Sequence, residues 1–127
     1  TFKTSKGKFI SPSQIEWGFE QNFDIDLVCV LGIGCPQPLA LVSLSEIGAT
    51  KSKEAIKESL LSTLKWVNKK LENFERVSTV VILKETPSIE NGLLTPTLKV
   101  KRRKMGESYQ GLLMGWHEDL DQIVFED

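Results

Sequence analysis

IDLVCVLGIGCPQPLALVSLS, residues 25–45, holds two apolar runs rich in Val, Ile and Leu, 25–33 and 37–45. Gly32, Gly34, Pro36 and Pro38 break the chain where the runs meet. Their length and β-branched content favour two adjacent strands over one helix. Gly-Ile-Gly at 32–34 reads as a turn. A dinucleotide-binding loop would need a third glycine and a helix directly after it, and neither is present.

Downstream, residues 52–74 carry the clearest helical period of the chain. Ile56, Leu60, Leu64, Val67, Leu71 and Phe74 step by three or four, while Lys53, Glu54, Lys57, Glu58 and Lys65 fall elsewhere. Thr50 or Ser52 can cap this helix, and Lys69 and Lys70 complement its dipole. Residues 77–83, VSTVVIL, predict a third strand that Lys84-Glu85-Thr86-Pro87 ends. Upstream, Phe2, Phe9 and Ile10 flank Ser5-Lys6-Gly7-Lys8, the pattern of a short hairpin. Ser11 then starts a capping-box pattern, with Pro12 in the first helical position and Gln14 three residues on. Ile15 and Phe19, one turn apart, give a helix to about Asn22 its buried side.

Beyond residue 86 the character changes. Residues 87–98 contain two prolines and Asn91-Gly92, a turn-rich loop. It leads to Lys99, Lys101, Arg102, Arg103 and Lys104, five cations in six positions. A last helix over about 101–115 is expected, weakened by Gly106 and Gly111. Residues 117–127 read as an acidic C-terminal tail in which Leu120, Ile123, Val124 and Phe125 could dock. The sum is a small α+β domain: a sheet of about three strands plus an N-terminal two-stranded hairpin, with helices packed on it. A parallel, doubly wound fold needs more alternating units.

One domain is also what 127 residues supply, enough for a core without staples. With 40% hydrophobic and 26% charged residues the chain is globular rather than disordered. Sixteen Lys and Arg against 17 Asp and Glu give a net charge of −1, so no global basic field points to nucleic acid. The apolar stretches are too short for a membrane-spanning helix. Cys29 and Cys35 cannot form a disulfide scaffold and suit a reducing, cytoplasmic setting. With a single histidine they are too few for a structural zinc site. The chain begins at Thr1 and reaches its first methionine at Met105, which predicts a piece of a longer protein.

Candidates for chemistry are sparse. His117, the one imidazole, reads as a surface residue. Cys29 lies inside a predicted strand, as a buried small hydrophobe would, and Cys35 lies in a turn where it could be exposed. Trp17, Trp66 and Trp116 are scattered over different elements and read as packing residues. No paired carboxylates suggest acid–base work, and Glu90 is a lone loop carboxylate. Two readings of the 99–104 cations stand side by side. They form a basic patch for anionic partners, or one lysine, set after a stiff Pro-containing loop, is aimed at a phosphate or a developing negative charge.

ENGLLTPTLKVKRRKM, residues 90–105, strongly resembles the end motif of AMP-forming acyl-CoA synthetases, especially the long-chain fatty acid–CoA ligases. FKTSKGKFISPSQIE, residues 2–16, resembles the segment that opens their C-terminal domain. LVCVLGIGCPQPLALV and FERVSTVVIL are similar to the family's strand pair and to the strand before its end motif. The resemblance implies that residues 1–127 are the mobile C-terminal lid of such a ligase, separated from an N-terminal catalytic domain, and inactive alone. Fatty acid and ATP would give acyl-adenylate and pyrophosphate. The lid would then swing about a hinge expected just before Thr1, and CoA would attack the adenylate to release AMP. ATP, CoA and Mg²⁺ would be held mostly by the large domain, and membrane association would belong to the full-length enzyme.

By the same resemblance, Lys99 matches the lysine that enters the active site for adenylation, with Pro96 and Thr97 holding its loop. Gly7 matches the hinge-proximal glycine that lets the pantetheine arm pass, and Lys8, Arg102 and the basic residues near it are candidates for the CoA phosphates. In many relatives a glycine precedes the catalytic lysine. Here it is Leu98, which makes Lys101 a rival, although the Thr-Pro-Thr-Leu-Lys form resembles the long-chain subgroup and favours Lys99.

Overall fold

The computed structural model describes residues Thr1–Asp127. A short hairpin, β1 (Phe2–Lys3) and β2 (Phe9–Ile10), is followed by α1 (Pro12–Glu20), β3 (Ile25–Leu31) and β4 (Leu39–Leu44). The chain continues through α2 (Glu46–Ala49), α3 (Lys53–Asn68), a 3₁₀ turn at Asn73–Glu75, β5 (Thr79–Ile82), α4 (Arg102–His117) and β6 (Ile123–Phe125). No helix is long and apolar enough to cross a membrane.

The main sheet has the order β3-β4-β5-β6. β3 and β4 are antiparallel, with Val30 opposite Ala40, and β4–β5 and β5–β6 are parallel. Both faces are covered. Val28, Val30, Ala40, Val42 and Val80 pack against α1 and α3, through Ile15, Phe19, Ile56, Leu60 and Leu64. Cys29, Leu31, Leu39, Leu41 and Val81 pack against Met105, Tyr109 and Leu113 of α4. A sheet buried on two faces needs strands that are apolar at successive positions, which is why residues 25–45 read as runs rather than as alternation. α1 and α3 approach closely at Gly18, where a Cβ would meet Val67 Cγ2 at 2.8 Å.

The small α+β architecture with its N-terminal hairpin is as expected, but the sheet has four strands. The fourth is Ile123–Phe125, inside the segment read as a tail, paired in parallel with Val80–Ile82. Ile123 enters the α1–α3 core, whereas Leu120 remains fully exposed. α3 ends at Asn68, earlier than residue 74. Asn68 turns its amide onto Val77, donating to its carbonyl at 2.9 Å and accepting from its N–H at 2.8 Å. Leu71 and Phe74 still reach the same core from beyond the helix. Ser52 caps α3 by accepting from Ala55 N–H, but Ser11 makes no side-chain cap on α1.

Three smaller expectations change as well. Cys35 is buried, 2% exposed, under α4. Trp17 and Trp66 stand exposed, the latter beneath the Lys70 amine at 3.8 Å from the ring centroid. His117 is half-buried and pairs through Nδ1 with Ser78 Oγ at 3.0 Å.

Candidate functional site

Lys99 stands at the end of a tightly wired turn. Ser88 and Asn91 start it with a reciprocal pair: Ser88 N–H donates to Asn91 Oδ1 and Asn91 N–H to Ser88 Oγ. Leu93 and Leu94 anchor the returning chain by burial, and Lys101 N–H donates to Leu93 carbonyl at 2.8 Å. Leu94 and Val100 bridge as antiparallel partners. At the tip, Leu98 N–H donates to Thr95 carbonyl and Thr95 N–H to Lys99 carbonyl, both at 2.8 Å. Thr95 Oγ1 accepts from Lys99 N–H at 3.1 Å and pairs with Thr97 Oγ1 at 3.1 Å. Leu98 has φ 63°, the left-handed conformation that glycine adopts most readily.

This wiring leaves the Lys99 side chain exposed and outside both of the molecule's ion pairs. Lys99 lines a groove of about 640 Å³ together with Glu16, Glu20, Asp26, Leu98 and Arg102. Lys101 is exposed too, and its backbone forms the N-cap position of α4.

Gly7 and Lys8 occupy the other turn, in the N-terminal hairpin. Thr4 N–H donates to Lys8 carbonyl at 2.9 Å and Gly7 N–H to Thr4 carbonyl at 3.0 Å. Gly7 has φ 78° and its surroundings are open, with only Lys3 Cε within 4 Å of where a Cβ would stand. Ser5 N–H ties the turn to Cys35 carbonyl at 2.9 Å. Lys8 lies over the Phe74 ring, 5.5 Å from its centroid. The two turns share no hydrogen bond, and Gly7 and Lys8 do not line the Lys99 groove. They present their lysines separately.

Arg102 differs from its basic neighbours. Its Nη2 donates to Glu16 Oε1 at 2.8 Å, its Nη1 to Glu16 Oε2, and Nη1 also to Val30 carbonyl at 3.3 Å. The Glu16 bonds, the largest influence, hold its pKa above the usual guanidinium value. With its fork closed on a carboxylate, Arg102 ties α4 to α1 and β3. Cys29, beside it, has its thiol pushed up to about 12 by burial and is no nucleophile. Glu16 itself was missed by the sequence reading, although a signal was there. Pro12, Ile15, Glu16 and Phe19 form the buried stripe of α1, and a carboxylate inside such a stripe demands a partner. No three His, Cys, Asp or Glu side chains converge on a metal-sized point.

Residues 1–119 match the model of the AMP-binding enzyme C-terminal domain. The chain is 32% identical over 139 residues to long-chain-fatty-acid–CoA ligase 5 of Rattus norvegicus, a match covering 95% of this chain and 20% of that protein. It is 27% identical, over 94% of its length and 20% of the relative's, to the peroxisomal long chain acyl-CoA synthetase 6 of Arabidopsis thaliana. The chain thus spans about a fifth of the length of the curated relatives it matches. In fold it is similar to the adenylation domain of a carboxylate reductase from Mycobacterium chelonae, with a TM-score of 0.76, 23% identity, and coverage of 93% of this chain and 19% of that one. The A-PCP didomain of a carboxylic acid reductase from Segniliparus rugosus, solved with AMP, gives a TM-score of 0.72 at 25% identity over 90% of this chain and 16% of that one. A match over residues 1–119, nearly the whole chain, means that it belongs to the AMP-binding enzyme C-terminal domain family.

Proposed function

We propose that this chain is the mobile C-terminal domain of an ATP-dependent, AMP-forming long-chain fatty acid–CoA ligase, and that Lys99 is its adenylation lysine. The observation that carries the reading is the unpaired, exposed Lys99 amine at the end of a turn whose backbone is held by three hydrogen bonds around Thr95. A compact cation on a four-carbon stem, delivered by a stiff support, is suited to a carboxylate and a phosphate that approach one another. As the fatty acid oxygen attacks the α-phosphorus of ATP and pyrophosphate leaves, Lys99 offsets the negative charge on both groups. CoA thiol then attacks the acyl carbon, and AMP departs with the bonding electrons.

In the second step the other turn serves. Gly7 has open space where a side chain would stand, which suits the passage of a thin pantetheine arm, and Lys8 flanks it. Two lysine-bearing turns on one rigid domain fit a lid that shows a different face to each half-reaction. The N-terminal domain, fatty acid, ATP and CoA are its partners, and Mg²⁺ is assigned to the N-terminal domain. The alternative, a free-standing module binding anionic partners through 99–104, is disfavoured by charge. Arg102 is occupied by Glu16, and Glu20 and Asp26 border the same groove.

The test uses the full-length enzyme carrying Lys99→Ala. Fatty acid-dependent ATP–pyrophosphate exchange should fall by orders of magnitude, while preformed acyl-adenylate plus CoA still gives thioester. Exchange that survives Lys99→Ala and is lost in Lys101→Ala would transfer the role to Lys101. Survival in both would overturn the assignment.

A further inference from the structure

The lysine turn fixes its own shape through its internal hydrogen bonds, but a catalytic amine must also be placed relative to the whole domain. Apolar anchors do part of this. Leu93 of the loop and Met105 of α4 pack on the α4 face of the sheet. α1 lies on the opposite face. One polar tie crosses between these layers around the sheet edge, and it starts three residues after Lys99.

That tie is Glu16–Arg102. Glu16 is 7% exposed and its Oε2 accepts from Val30 N–H at 2.7 Å, while Arg102 Nη1 donates to Val30 carbonyl at 3.3 Å. β3 is the end strand of the sheet, so Val30 presents both backbone groups where a further strand would otherwise pair. The carboxylate and guanidinium take the place of that strand. They are joined to each other by a two-pronged contact, a geometry that constrains orientation as well as distance. The first residue of α4 is thereby pinned to α1 and to β3 at one point.

We infer that Glu16 and Arg102 form the positioning pair for Lys99, setting where the lysine turn stands against the rest of the lid, and that Arg102 does not serve as a phosphate contact. This rests on the reading of Lys99 given above. The pair touches no substrate. It acts by fixing the stem from which Lys99 reaches, and a displacement of about 1 Å there is enough to cost about 100-fold in rate.

The experiment compares Arg102→Ala, Arg102→Lys, Glu16→Gln and Lys99→Ala in the full-length enzyme. Exchange kcat, KM for ATP, the rate of thioester formation from preformed acyl-adenylate, and thermal stability are measured for each. Arg102→Ala should lower exchange kcat by about 100-fold with KM for ATP unchanged and thioester formation kept. Arg102→Lys and Glu16→Gln, which retain charge or shape but not the fork, fold and show smaller losses confined to exchange. Equal losses in both half-reactions would make the pair a general structural element and overturn the inference. So would unaltered exchange in folded Arg102→Lys and Glu16→Gln while Lys99→Ala has lost it. If Lys99→Ala itself keeps exchange, the reading of Lys99 fails first and the positioning role falls with it.

Discussion

The hairpin turn Thr4–Lys8 and the loop turn Thr95–Lys99 are the same structure built twice. Each begins with a threonine whose N–H donates to the carbonyl of a lysine four residues on. In each, the fourth residue donates back to the threonine carbonyl and takes a left-handed backbone. In each, the threonine Oγ1 accepts from the lysine N–H, at 3.4 Å in the first turn and 3.1 Å in the second. The difference is the left-handed residue, Gly7 in one and Leu98 in the other. Where glycine sits, the backbone is relaxed and its flank is open. Where leucine sits, the turn is held in a conformation that costs a side-chain-bearing residue about 1–2 kcal/mol, and proline, two threonine hydroxyls and the Leu94–Val100 bridge maintain it. The first turn looks built for access, the second for rigidity.

Exchanging the left-handed residues puts that contrast at risk most directly. Gly7→Leu should lower domain stability by about 1–2 kcal/mol, read as a shift in the denaturation midpoint. In the full-length enzyme it should slow thioester formation while leaving ATP–pyrophosphate exchange intact; an unimpaired second step would deny the turn its access role. Next in size, Thr95→Ala should cost about 1 kcal/mol, since its hydroxyl serves both Lys99 N–H and Thr97. Thr4→Ala should cost less, because its hydroxyl bond is long; equal losses would mean that the two hydroxyls do the same job. Smallest is Leu98→Gly. Relief of left-handed strain, about 1–2 kcal/mol, is largely offset by the extra freedom that glycine gives the unfolded chain. Stability should hardly change in thermal unfolding, yet amide hydrogen exchange at residues 97–99 should quicken.

What could be read in advance followed from how local each feature is. β3 and β4 were legible because burial on both faces leaves a continuous apolar signature, and α3 because its stripe repeats through Ile56, Leu60, Leu64 and Val67. β6 was hidden: three residues in an acidic stretch become a strand only because Val80–Ile82 offers an open edge. The Leu98 backbone was hidden because leucine carries no turn signal. The Glu16–Arg102 pair was hidden because its partners are 86 residues apart and Arg102 sits among four other cations that have no such partner.

The two ends of the sheet are finished differently, and the difference bears on where the domain can be cut. β3, at one end, has its outer groups at Val30 taken by an ion pair, while at the other end the short strand β6 covers β5. The family match stops at residue 119, but β6 begins at Ile123. A truncation at the family boundary would uncover Thr79–Ile82, four consecutive buried residues, as an apolar edge free to recruit another chain. Such a shortened domain should self-associate on storage, and the residues past 119 act in effect as its built-in guard against aggregation.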